Sequence, residues 1–388
     1  MTRYAKQQKK QTALMVSILS LSLLTVMAGA AVAPALGVIQ EYFADSNQLF
    51  VQMIVSIPAV FIVITNFIFP KLCAKFGAKT LVTVGLVFYV FGGCLAGAFS
   101  NIYLVLITRA FVGIGVGIIM PLSTGLLAYF FEAGEQESLM GYSSAMNQMG
   151  GVLATLMSGL LANITWRASF LVYLMGLISM MLCLLFLPNV NIGSERHAES
   201  PIQKTVDIIK ENYVYIGAML LLMTTFFVYP TNFAMETIKE GIVPSRYIAL
   251  IMAGMDFVAF FGGMLFVKVK SSFGRNTRFV APVLFCLGYL LMAAVGGWIG
   301  ILAGSMCIGF ANGAGVPFLM SEISMRAGRN AATTVMPLMS AALYLAQFVC
   351  PILISAITTL LGSTMMHLPY YFAAVLAGMF ILWSVQIK

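Results

Sequence analysis

The stretch Arg109–Pro121, RAFVGIGVGIIMP, sets a permanently charged guanidinium at the head of an apolar run studded with glycine. Gly113 and Gly117 lie four residues apart, on one face of a helix, where a missing side chain lets a neighbouring backbone come close. Gly309, Gly313 and Pro317 repeat Gly113, Gly117 and Pro121 at a spacing of 196 residues. Pro34 in VAPALG and Pro230 in VYPTNF keep the same spacing, and FGAKT (Phe76–Thr80) returns as FGRNT (Phe273–Thr277) one residue out of step. Glycine and proline are common in membrane helices, so one match carries nothing. Five at nearly one offset, in three span regions, define an internal repeat.

The rest of the chain says what the repeat is made of. Of 388 residues, 61% are hydrophobic and 9% charged, where ordinary globular proteins carry about 25% charge. A mean hydropathy of +0.97 describes a chain whose solvent is lipid. The net charge of +8 does not indicate nucleic acid, because the basic residues come in short clusters between apolar runs, as in cytoplasmic loops. The cysteines (Cys73, Cys94, Cys183, Cys286, Cys307 and Cys350) form no CxxC pair, so they read as packing residues rather than metal ligands or a disulfide framework. The first apolar run follows Arg3, Lys6, Lys9 and Lys10, but it is too long for a secretory leader and is expected to remain as a span.

On a scale of about 20 apolar residues per crossing, the sequence predicts twelve spans. They cover roughly 13–38, 48–70, 79–99, 103–128, 139–162, 167–187, 214–236, 246–268, 279–297, 299–321, 332–359 and 368–386. The long polar interruption from Asn189 to Asn212 divides them into an N-terminal six-helix bundle (residues 1–188), a cytoplasmic linker (189–212) and a C-terminal six-helix bundle (213–388). With a cytoplasmic N-terminus, inside segments hold seventeen Lys and Arg residues and outside loops hold only Arg167, Lys239 and Arg246. That bias puts both termini in the cytoplasm. Six spans separate the repeat copies, so both run in the same direction through the membrane. This is the parallel repeat of a two-bundle transporter.

Four local patterns carry a resemblance over essentially the whole chain. PKLCAKFGAKT (Pro70–Thr80) is similar to the loop Gly-x-Leu-Ala-Asp-Arg-x-Gly-Arg-Lys, matching at Leu72, Lys75, Gly77 and Lys79. RAFVGIG matches Arg-x-x-x-Gly-x-Gly on Arg109, Gly113 and Gly115, and WRASF (Trp166–Phe170) is similar to a span 5–6 link. In span 5, Gly150, Ala154, Thr155, Ser158 and Gly159 fall on the positions of a Gly-x-x-x-Gly-Pro-x-x-Gly-Gly pattern, without its proline. These patterns resemble the major facilitator superfamily, particularly the twelve-span drug/proton antiporters. The resemblance implies an all-α membrane fold of two pseudo-symmetric six-helix bundles, alternating access, and a substrate pathway lined by spans 1, 4, 7 and 10. It also implicates the span 4 arginine in proton coupling.

Candidate site residues follow. Arg109 lies about six residues, some 9 Å, into span 4. A charge at that depth costs several kcal/mol unless it snorkels to the outer headgroups, which the depth allows, or turns inward, where carbonyls near Ala31–Ala33, loosened by Pro34, would accept its hydrogen bonds. Asp256 falls about ten residues into span 8, close to the midplane, and is the only acid within a span core as read from the sequence. A carboxyl there suits proton uptake on one side and release on the other. Tyr229, Thr231 and Asn232 around Pro230, Asn312 in span 10, and Asn147 and Gln148 in span 5 are the candidate substrate-binding residues. Each could instead make an ordinary interhelical hydrogen bond. Pro34, Gly77, Gly113, Gly117, Pro230, Gly309 and Gly313 are expected to serve gating and helix packing.

No Lys-Ser/Thr follows the glycines of span 4, so a phosphate loop is not expected. Neither is an enzyme, a metal site or another cofactor, and the energy source expected is the proton gradient. The function expected is secondary active transport in the plasma (inner) membrane: proton-coupled efflux of small lipophilic organic compounds by a monomer whose partners are substrate, protons and the lipid bilayer, with no nucleic acid. The alternatives are import or exchange of small organic anions at a buried arginine, and a non-transporting membrane sensor.

Overall fold

The computed structural model describes residues 2–131, 133–191, 202–241, 243–295, 297–361 and 367–387. Among these residues the chain is helical and contains no strand, as lipid demands of a backbone that must satisfy its own hydrogen bonds. The main helices among them are α1 (Thr2–Ala30), α2 (Gln48–Lys75), α3 (Ala78–Leu95), α4 (Ile102–Phe130), α5 (Ala133–Ala162), α6 (Met175–Phe186), α7 (Ile202–Glu240), α8 (Ser245–Phe273), α9 (Thr277–Leu290), then one continuous helix Gly297–Leu361, whose two apolar segments Gly297–Ile323 and Val335–Leu361 are here labelled α10 and α11, and α12 (Leu368–Ser384). The tenth and eleventh of the twelve expected spans are thus joined in one helix. A short helix, Leu36–Tyr42, carries the chain on from α1 toward α2. Nine described segments are long and apolar enough to cross a membrane, one of which, Ser245–Val295, covers both α8 and α9.

Local chemistry sets several boundaries. Asn47 and Asn101 open α2 and α4, each accepting a backbone N–H at 2.9 Å from Leu49 and Tyr103, the bond that an otherwise unpaired first-turn amide needs. Gly274 closes α8 at φ +51°, a conformation a side chain would strain. Of the expected linker, residues 202–212 belong to α7; residues 192–201, with Glu195, Arg196 and Glu199, lie outside the described residues.

The chain divides into two compact units, Met1–Ala35 with Ile54–Ala198, and Leu36–Met53 with Glu199–Lys388. In the first, a Cβ on Gly113 would meet the carbonyl oxygen and Cα of Pro58, and one on Gly117 would meet Thr65 and the Ile62 carbonyl. In the second, a Cβ on Gly309 would meet Met255, and one on Gly313 would meet Ala259. Met255 and Ala259 stand 197 residues after Pro58 and Ile62. Glycines and their partners thus repeat together, and each unit closes its core by the same backbone-to-backbone approach. Large apolar side chains such as Ile178, Leu160 and Leu382 remain exposed, the face that acyl chains would cover.

Candidate functional site

In the first unit, Arg109 is 0% exposed. Its Nε donates to the Ile54 carbonyl at 2.8 Å, one terminal nitrogen donates to the Ala28 carbonyl at 2.5 Å, and the other donates to the Tyr173 hydroxyl at 2.5 Å. Tyr173 in turn donates to Ala28 at 2.7 Å. One carbonyl is available because of a proline, the other because α1 ends. Ile54 lies four residues before Pro58 within α2, and Pro58 has no amide to return to it. Ala28 lies just before α1 ends at Ala30; Pro34 sits in the tight turn Ala33–Ala35, and the Val32 amide turns to Gly29 at 3.4 Å instead of reaching back to Ala28. The expected span 1 contact is therefore made one turn earlier than Ala31–Ala33. The guanidinium fills two gaps left by broken helix ladders, at a position where a snorkelling side chain would have been exposed.

In the second unit, α7 bends its hydrogen-bonding around Pro230. The Phe226 carbonyl, four residues earlier, loses its amide partner, and beside it the Tyr289 hydroxyl donates to the Thr225 carbonyl at 2.6 Å, with Phe226 at 3.4 Å. Tyr229, Thr231 and Asn232 are all 0% exposed. The Tyr229 hydroxyl pairs with Ser305 at 2.9 Å, and its ring stacks on Phe233. The Thr231 hydroxyl is spent on the Phe227 carbonyl at 2.6 Å. Asn232 donates to the Val228 carbonyl and the Thr231 hydroxyl and accepts from Gln52 Nε2 at 2.7 Å. Ser305 stands 196 residues after Arg109, so the two units put different chemistry at one repeat position.

Asp256 on α8 is half-buried and interacts electrostatically with Tyr229. Asn312 on α10 is half-buried, and its side-chain oxygen has no hydrogen-bond partner among the described residues. Tyr229 and Ser305 thus form one hydrogen-bonded polar pair in this unit, with Asn232 one turn further along α7. Asn147 and Gln148 belong to the first unit; Asn147 accepts from Thr25 at 2.6 Å, and both are half-buried.

Gly77 precedes α3, where the Ala78 amide donates to the Val190 carbonyl at 2.7 Å and Lys79 Nζ donates to the Leu184 carbonyl at 2.7 Å. The loop therefore grips the end of α6. Among the described residues no group of three or more His, Cys, Asp or Glu side chains could hold a metal, and the cysteines are free thiols.

Several participants lay beyond the reach of sequence reasoning. Pro58 was legible as a span proline, and its position four residues after Ile54 could have been used. Tyr173 and Gln52 carried no signal, because their roles come from contacts distant in sequence. Further acids lie near the ends of apolar segments rather than in a span core. Glu236 lies inside the apolar segment Ile209–Lys239 and is 9% exposed, because α7 continues to Glu240. Glu322, near the end of the apolar segment Gly297–Ile323, pairs with Lys270 at 2.6 Å.

Comparison with known proteins agrees with this architecture. The model of the Major Facilitator Superfamily matches residues 18–351. The riboflavin transporter RibZ of Clostridioides difficile is 26% identical over 144 residues, 37% of this chain and 32% of that protein. The quinolone resistance protein NorA of Staphylococcus aureus is 23% identical over 228 residues, 57% of this chain and 58% of that protein. The matches thus span about a third and somewhat over half of these relatives' lengths. Among solved structures, the nucleoside transporter NupG superposes with a TM-score of 0.76 at 12% identity, covering 96% of this chain and 98% of that one. A helical membrane fold, a repeat expressed in its packing glycines and a match across most of the sequence lead to one conclusion: this chain belongs to the Major Facilitator Superfamily.

Proposed function

We propose that this chain is a secondary active transporter that works by alternating access and exports small lipophilic organic compounds in exchange for protons. The observation that carries the coupling mechanism is Asp256, a half-buried carboxyl well inside α8 that interacts with Tyr229. A carboxyl held between lipid-like and polar surroundings changes its protonation with its environment, so a rearrangement that changes its hydration moves a proton. Tyr229, Thr231, Asn232 and Asn312, with Asn147 and Gln148, are the polar groups available to orient a substrate. Arg109 acts as a positioning residue that holds α1 and α2 at their proline breaks. The names of the two curated relatives, riboflavin transporter and quinolone resistance protein, support a small organic cargo. On this reading the protein works as a monomer in the plasma membrane.

Exchange of organic anions is the weaker alternative. Its warrant was a buried arginine, and Arg109 is enclosed and hydrogen-bonded through all three of its nitrogens, so it is not open to a substrate carboxylate. The test is efflux of the lipophilic cation ethidium from proteoliposomes under an imposed pH gradient, comparing wild type with Asp256→Asn. Gradient-driven efflux that disappears in the variant supports the reading. Equal efflux by both proteins removes Asp256 from the mechanism, and anion counterflow unaffected by a protonophore overturns proton exchange.

A further inference from the structure

The second unit holds a cavity of about 390 Å³, in the size range of small-molecule sites, that the transport reading leaves unused. Its walls come from the start of α2, the end of α7, the end of α11 and the start of α12, and they include Asn47, Gln52, Glu236, Lys239, Ser355 and Thr358. The helix order puts all four of these ends at the non-cytoplasmic face, given a cytoplasmic N-terminus.

The wall is polar and carries one carboxylate, Glu236, and one cation, Lys239. Glu236 is 9% exposed and neither accepts a hydrogen bond nor forms an ion pair among the described residues. Lys239, the nearest cation on α7, stays exposed at the rim and acts on the carboxylate only at a distance, as does His367. Gln52 spends one N–H on Asn232 at 2.7 Å, which leaves its carbonyl oxygen and its second N–H. Thr358 and Thr359 donate their hydroxyl protons to the carbonyls of Ile354 and Ser355 at 2.8 Å, so toward the cavity they can only accept. A buried carboxylate without a hydrogen-bond donor is costly; with Lys239, the one cation of the wall, exposed and making no ion pair with it, a ligand cation with several N–H donors would satisfy it.

We propose that this cavity binds a primary ammonium group, with the Glu236 carboxylate as its counter-ion and Gln52 and Thr358 as further acceptors. The site also has a route inward. Tyr229, Asn232 and Glu236 lie at i, i+3 and i+7 on α7 and so share one helix face. That face runs from the cavity, past the Gln52–Asn232 bond, to the tyrosine that interacts with Asp256. A ligand at Glu236 would sit at the outer end of a polar stripe leading toward the carboxyl assigned to coupling. The binding site itself does not depend on transport and stands or falls separately.

A primary ammonium can come from a free solute or from an ethanolamine lipid headgroup. Binding is read as the thermal stabilisation of the purified full-length protein by ethanolamine, with choline, a quaternary ammonium lacking N–H donors, as the control. Stabilisation that saturates with ethanolamine, at a midpoint at least tenfold lower than for choline, is the expected result. Glu236→Gln, nearly isosteric, should raise the ethanolamine midpoint at least tenfold. Ser355→Leu, which fills the cavity without touching the carboxylate, should do the same if Glu236→Gln fails to fold. In nanodiscs, an ethanolamine response in phosphatidylcholine that vanishes in phosphatidylethanolamine assigns the occupant to lipid; an equal response in both assigns it to a free solute. Equal potency of choline and ethanolamine, no response to either, or wild-type binding by both variants overturns the proposal.

Discussion

Replacing Arg109 by methionine and then restoring the missing amide at position 58 tests whether the guanidinium substitutes for helix hydrogen bonds. In the native chain the Ile54 carbonyl has Arg109 Nε as its partner, 2.8 Å away, because Pro58 cannot donate to it. Arg109→Met keeps a long apolar stem and removes the donor. The Ala28 carbonyl still has Tyr173 at 2.7 Å, so the main loss is one orphaned, buried acceptor. Such a group costs about 1 to 3 kcal/mol, more than the roughly 0.6 kcal/mol of an average hydrogen bond between membrane helices, because water cannot replace the donor. That corresponds to a fall of the melting midpoint on the order of 5 °C for a unit of this size. Adding Pro58→Ala supplies an amide that can close the α2 ladder on Ile54, while the carbonyl and Cα that pack on Gly113 remain. The double variant should therefore regain most of the loss, a coupling of about 1 to 2 kcal/mol read from a double-mutant cycle. The assay is thermal unfolding of detergent-purified protein followed by size-exclusion. If Pro58→Ala lowers the midpoint by the same amount in wild type and in Arg109→Met, the account of Arg109 as a stand-in for the missing amide is refuted.

Other consequences can be measured with the same preparation. Gly113→Ala would drive a Cβ into the Pro58 backbone and should abolish monodisperse protein, whereas Gly125→Ala, with nothing within 4 Å, should behave as wild type; similar yields of the two would refute the packing role. Gly77→Ala would meet only the side chain of exposed Asn189, which can swing aside, so its cost should stay below about 1 kcal/mol; a larger loss of stability would mean that the loop has no room to give. Gln52→Ala and Asn232→Ala should be non-additive by about 1 kcal/mol, since both remove one buried 2.7 Å bond; strict additivity would mean that the bond contributes nothing.

Much of the fold was legible in the sequence because a bilayer leaves few solutions. An apolar run of sufficient length becomes a helix, and a chain with this composition must consist of such runs. The repeat was legible for a second reason. Glycines that admit a neighbouring backbone cannot be exchanged for larger residues, so the same offset that relates Gly113 to Gly309 in sequence relates Pro58 to Met255, within one residue, in the packing. For Arg109 the sequence left two outcomes, snorkelling to the outer headgroups or turning inward, and the structure shows the second.

The site was less legible, and the misses share a cause. Which carbonyls Arg109 would reach depended on where α1 unwinds, a register of one turn that packing sets and periodicity does not. Tyr173 and Gln52 are ordinary residues until the fold brings them to Arg109 and Asn232. Glu236 was not singled out in the sequence, and only the continuation of α7 and the helix ends around it place its side chain at a cavity. Sequence alone determined that the chain is a membrane-embedded, internally repeated helical protein, because those properties depend on composition and spacing. Tertiary structure decided which polar atoms meet, because hydrogen-bond partners here come from helices far apart in the chain and are chosen within a few ångströms.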